Sequence, residues 1–117
     1  MWPFKKKKEV LEIKLELIST LANLKILLEK GGLHYYFSDV ISSIILDLEN
    51  NNIKSFEKKI RSIDMWGGAG ALWEVHMENR KIMKEFELEI VKLIDLMDQI
   101  GWKSWRMGGI KKMLLEQ

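Results

Sequence analysis

The sequence predicts an all-α protein, an antiparallel up-down-up-down four-helix bundle with a short C-terminal helix. Three observations carry this expectation. Apolar residues recur at alternating spacings of three and four over long stretches. Breakers are scarce, with one proline and eight glycines in 117 residues, so elements are long and turns few. The glycine and asparagine clusters fall between the periodic stretches, and such short connections set consecutive helices antiparallel.

The first helix is expected from about Lys7 to Lys30, with Val10, Ile13, Leu17, Leu21, Leu24 and Leu28 on its inner face. A second row, Leu11, Leu15, Ile18 and Ala22, is expected to widen that stripe. Gly31-Gly32 ends the helix, with Lys30 in the last turn, where the macrodipole favours a cation. The second runs from about Tyr36 to Asn50. Its β-branched residues raise the alternative of a strand, but Phe37, Ile41, Ile44 and Leu48 do not alternate; their spacing is helical. Asn50-Asn51-Asn52 closes it, because asparagine tolerates left-handed backbone.

The third helix, about Ile53 to Met65, shows Ile53, Phe56, Ile60 and Ile63. The fourth and longest, about Leu72 to Ile100, has a seam of Leu72, Val75, Ile82, Phe86, Ile90, Leu93, Met97 and Ile100, with Asn79 as its polar break. Gly101 stops it. The tail, residues 102–117, holds a last short helix after Gly108-Gly109, and its Ile110, Met113 and Leu114 are expected to cover the overhang of the long helices. The whole forms one domain, 1–117, with residues 1–6 expected to be loose.

Composition excludes several classes. With no cysteine there is no disulfide framework, thiolate nucleophile or Cys-type zinc site, which suits a reducing cytoplasm. No segment approaches the roughly 20 apolar residues of a membrane span. Lys5 to Lys8 precede an amphipathic stretch, which does not fit the apolar core of a signal peptide. The net charge of +2 is too small to argue for nucleic acid, and the acidic long helices would repel a duplex.

An up-down bundle would gather distant residues at two poles. One pole would collect Trp2, Phe4, Lys5, Lys6, Lys7 and Lys8 with Trp102, Trp105 and Arg106. Tryptophans among lysines suit a membrane surface, with each lysine contributing about 1 kcal/mol near anionic lipid. The other pole would collect Tyr35, Tyr36, Trp66 and Trp73 with Gly67, Gly68 and Gly70. Three glycines beside two tryptophans read first as structural, supplying positive φ after a helix end and room beside an aromatic ring. Neither a phosphate-binding loop nor a dinucleotide fingerprint is present, since no Lys-Ser/Thr follows the glycines and no strand precedes them.

The run Gly67-Gly68-Ala69-Gly70-Ala71-Leu72-Trp73-Glu74 resembles the Gly-Gly-x-Gly-Ser-x-x-Asp run of small bacterial helical domains, some of which look like immunity partners of toxins. In the family's run a serine three residues before an acid forms a capping box; here Ala71 stands in the serine position. The resemblance covers eight residues and implies a fold element and a neighbourhood.

No catalytic constellation emerges. His34 and His76 lack the helical pairing of metal ligands, and none of the serines sits in a nucleophile elbow. The expectation is a cytoplasmic, non-enzymatic module without metal or cofactor that binds a protein partner, and the resemblance points to a toxin. A homodimer is also open. Partner contacts are expected from Tyr35, Tyr36, Trp66 and Trp73 and from an acidic strip, Glu78, Glu85 and Glu89, because aromatic anchors dominate buried interface centres and the repulsion between Glu85 and Glu89 would be relieved by a basic partner. A membrane-associated accessory role through the N-terminus is the second expectation, and a small-ligand sensor at the glycine loop the third.

Overall fold

The structure, a computed structural model, describes residues 7–32, 35–67, 71–102 and 105–116, and the side chains of these apart from 7–10, 35, 36, 63, 64 and 105. All regular structure among the described residues is helical. It comprises α1 (Lys7–Lys30), α2 (Tyr35–Glu49), α3 (Ile53–Ile60), α4 (Ile63–Trp66), a 3₁₀ turn (Leu72–Glu74), α5 (Arg80–Gln99) and α6 (Trp105–Leu115). α1 packs against both α2 and α5, while α3 lies on α2 and α6 on α5.

The inner faces follow the periodicity. Ile13, Leu17, Leu21, Leu24 and Leu28 of α1 are buried against Phe37, Ile41, Ile44 and Leu48 of α2 and Phe86, Ile90, Leu93 and Met97 of α5 in one core. Near its start α1 reaches the far end of α2, where Lys14 Nζ donates to Asn51 Oδ1 at 3.0 Å. At its other end Gly31 abuts Met77, so closely that a Cβ added to the glycine would lie 2.7 Å from the Met77 sulfur. The α2–α3 turn uses Asn51 at φ 56°, the left-handed geometry expected of the asparagine cluster.

One polar tie joins α2 to α3. Asp47 Oδ2 accepts from Ser55 Oγ at 2.7 Å and pairs with Lys59 Nζ at 3.0 Å, and Lys59 also donates to Ser43. Burial acts to raise the Asp47 carboxyl, but the hydrogen bonds from Ser55 and Lys59 and the Lys59 charge outweigh it, so the group sits below the ordinary carboxylate value. A carboxyl depressed by folding contributes stability that is complete above its unfolded value and lost as pH falls through the lower folded one. The melting temperature is therefore expected to fall with acidification below about pH 4, the unfolded aspartate range. Asp47→Asn should flatten that acid limb; an unchanged limb would remove Asp47 as its source.

Three boundaries differ from the pattern. The third predicted helix divides, with α3 stopping at Ile60 and α4 adding a single turn after Arg61 and Ser62. The break lets Trp66 fold back and donate its indole N–H to the Ile60 carbonyl at 2.6 Å, satisfying a helix-end acceptor. The fourth predicted helix begins only at Arg80. Asn79, read as a polar break, is its N-cap, and its side chain accepts from the Ile82 N–H at 3.0 Å. Asn79→Ala is expected to cost about 1 kcal/mol, measured as a lower melting temperature with faster exchange of the Ile82 amide. The last helix does not wait for Gly108-Gly109 but runs through them, burying Met107, Ile110 and Leu114. Met113, expected to help cover the core, is 40% exposed.

Candidate functional site

The glycine-tryptophan stretch is braced from within. Gly67 C=O accepts from Trp73 Nε1 at 3.1 Å and from an Arg106 terminal nitrogen at 3.0 Å, while Arg106 Nε donates to Trp66 C=O at 2.6 Å. Trp66 is buried, so it supports the loop and does not offer its ring to a partner; Trp73 is half-buried. Gly68, Gly70, Trp2, Phe4, Lys5 and Lys6 lie outside the described residues, as do the side chains of Tyr35, Tyr36, Lys7, Lys8 and Trp105.

The two-pole layout needs correction. Trp102 and Arg106 were expected at the pole opposite Trp66, yet all three line one cleft of about 220 Å³ with Arg61, Ser62, Gly67 and Met107. Two features bring them together. α3 has only eight residues, so the chain reaches Trp66 after little travel. Gly101, at φ 78°, turns the chain so that Trp102 lies against Phe56, their ring centroids 5.7 Å apart, and sends α6 back along α5.

The acidic strip is also shorter than expected, because Glu78 precedes the Asn79 cap and only Glu85 and Glu89 lie on α5. Glu85 is exposed. Glu89 is half-buried and accepts from Asn23 Nδ2 of α1 at 2.6 Å, so the expected repulsion is offset by an amide from the neighbouring helix. Both glutamates edge a groove of about 350 Å³ between α1 and α5, with Asn23, Ile26, Leu27, Lys30 and Leu88. Ile26 and Leu88 are 49% and 50% exposed.

That groove continues into a surface the pattern had assigned to the core. Leu11 and Leu15 are each 56% exposed, and Ile18 and Ala22 between them and Ile26 are half-buried. At about 100° per residue, Leu15 and the buried Leu24, nine positions apart, point in opposite directions. α1 is thus apolar on two faces, one packed inside and one turned outward. The signal was present in the sequence: two apolar rows half a turn apart cannot both face one core. A single exposed leucine needs no explanation, but a row of large apolar side chains along one helix does.

No group of three or more His, Asp or Glu side chains among the described residues could hold a metal ion. None of the described helices is long and apolar enough to cross a membrane. The chain matches no family model, no curated protein and no solved structure.

Proposed function

We propose that the protein is a non-enzymatic binding module whose docking surface is the outward face of α1 and its groove with α5. The observation that carries this reading is the exposed row Leu11, Leu15 and Ile26, extended across the groove by Leu88. Leu11, Leu15, Ile18 and Ala22 are spaced four, three and four, the register by which one helix receives the apolar seam of another. Glu12, Glu16, Glu85 and Glu89 flank the α5 side of this row and favour a partner helix bearing lysine or arginine beside its apolar seam. The partner is a toxin, neutralised by being covered; the Gly67–Glu74 resemblance to immunity-type domains supports this class. A cytoplasmic location goes with that reading.

The test uses the product of the adjoining reading frame as the partner. The purified protein is expected to bind it, and co-expression is expected to relieve its toxicity. Leu15→Glu should weaken the complex by at least about tenfold, or ~1.4 kcal/mol, without lowering the melting temperature, because the residue lies outside the core. Glu85→Lys should slow association. Binding that tolerates both substitutions would displace the interface from this face, and the absence of any complex would remove the toxin reading.

A further inference from the structure

The chemistry that suits the outward face of α1 is carried by the chain itself. Along this face runs the seam of Leu11 and Leu15, both exposed, and Ile18 and Ala22, both half-buried. Its two rims carry opposite charge. At about 100° per residue, Lys14 and Lys25 fall about 50–70° to one side of the seam and Glu12 about 90° to the other. The bond from Lys14 to Asn51 marks the basic rim as the side toward α2. The bond from Asn23 to Glu89 marks the acidic rim as the side toward α5, where Glu85 and Glu89 edge the groove. Those acids favour a helix with lysines beside an apolar row, and α1 of a second copy is such a helix.

We infer that the free protein forms a homodimer through α1, with the two copies of the helix parallel and in register. Charge decides the orientation. A two-fold axis running along the seam sets the acidic rim of each copy against the basic rim of the other. Lys14 then lies level with Glu12 of the second copy. Lys25 lies level with the second copy's groove at residues 23–30, which Glu85 and Glu89 border. An antiparallel pair would set acid against acid and lysine against lysine, which disfavours it. Along the seam, spacings of four, three and four bring each apolar residue beside its own copy, as in a parallel two-stranded coiled coil. Ile26 and Leu88, half exposed, widen the contact at the acidic rim. One helix face is at the small end of stable interfaces, so the dimer exchanges and yields to a tighter partner. It rests on the docking reading for the face alone: a second copy covers α1 until the partner displaces it.

Sedimentation of the full-length protein over a range of concentrations tests this. A reversible monomer–dimer equilibrium is expected, and Leu15→Glu should weaken it at least about tenfold with unchanged circular dichroism. Reversing the basic rim (Lys14→Glu with Lys25→Glu) or the acidic rim (Glu12→Lys with Glu85→Lys) should weaken each homodimer, while the two variants mixed should pair with each other. The chain has no cysteine, so Leu11→Cys introduces a single thiol, and mild oxidation should link two copies through it. The cross-link and the wild-type equilibrium stand as tests even if Leu15→Glu fails to fold. The proposal is overturned if the wild type is monomeric up to about 1 mM, if folded Leu15→Glu dimerises like the wild type, or if the rim variants do not pair. Leu11→Cys linking faster to Ile26→Cys than to itself would overturn the parallel register. A monomeric wild type that still binds the adjoining-frame product would overturn the dimer alone, and a dimer that binds no such product would overturn the toxin reading alone.

Discussion

Phe56→Ala is expected to lower stability by about 3–5 kcal/mol, a fall in melting temperature of about 10–20 °C. Phe56 is fully buried on α3, an eight-residue helix whose other inward residues are Ile53 and Ile60. So short a helix is not stable by propensity; packing of its apolar face holds it in place. Removing the ring deletes the central one of three anchors and leaves a cavity. It also removes the tilted aromatic contact with Trp102, which positions the chain between α5 and α6. Two signals should therefore change together: the thermal midpoint, and the tryptophan emission as Trp102 becomes more exposed. Phe56→Leu, which keeps most of the volume, should recover more than half of the lost stability. A Phe56→Ala variant within about 1 kcal/mol of the wild type would mean that α3 is held by the Asp47–Lys59 tie and not by its core face.

The inner faces of α1, α2 and α5 were legible because a long helix with one packed side repeats its apolar residues with helical period. The start of α5 was not. A 3₁₀ turn has three residues per turn, so Leu72 and Val75 mimic the first step of a helical seam. Asn79 then looked like a flaw in a long helix, although asparagine is among the best N-caps. Met77, buried but off the apparent seam, was the clue that the spacing belonged to another conformation. Gly108 and Gly109 misled in the opposite direction. Each costs a helix about 1 kcal/mol relative to alanine, but Met107, Ile110 and Leu114 keep the three-four spacing and pack on α5.

The outward row of α1 was visible but assigned to the wrong side. The spacing of Leu11 and Leu15 suits a broader core stripe, but their angle to Leu24 places them opposite it. A bundle helix with a second apolar face implies a second packing partner, and among the described residues the main partners of α1 are α2 and α5, which pack on its inner side. Charge made the same point less clearly. The spacing of Glu85 and Glu89 implies repulsion, but Asn23, more than sixty residues away in sequence, supplies an amide to Glu89. No local pattern reports such a contact.

Arg106→Ala is expected to cost about 2–3 kcal/mol, since each hydrogen bond from a charged group contributes roughly 1.5–3 kcal/mol and this one is partly exposed to solvent. The guanidinium spans two successive carbonyls, Trp66 and Gly67, and joins α6 to the end of α4 across forty residues of chain. Gly67 C=O would keep its bond from Trp73, whereas Trp66 C=O would lose its Arg106 donor, so the damage should concentrate at the end of α4. Amide exchange is expected to quicken at Met65, Trp66 and Leu72–Glu74 and to change little on α1. Arg106→Lys should recover less than half of the loss, because an ammonium cannot reproduce the planar fork that reaches both acceptors. Full rescue by lysine would show that the charge alone matters, and would reduce the brace to a surface attraction. Uniform quickening across α1, α2 and α5 would instead show that the loop belongs to the same cooperative unit as the core, with Arg106 acting on global stability.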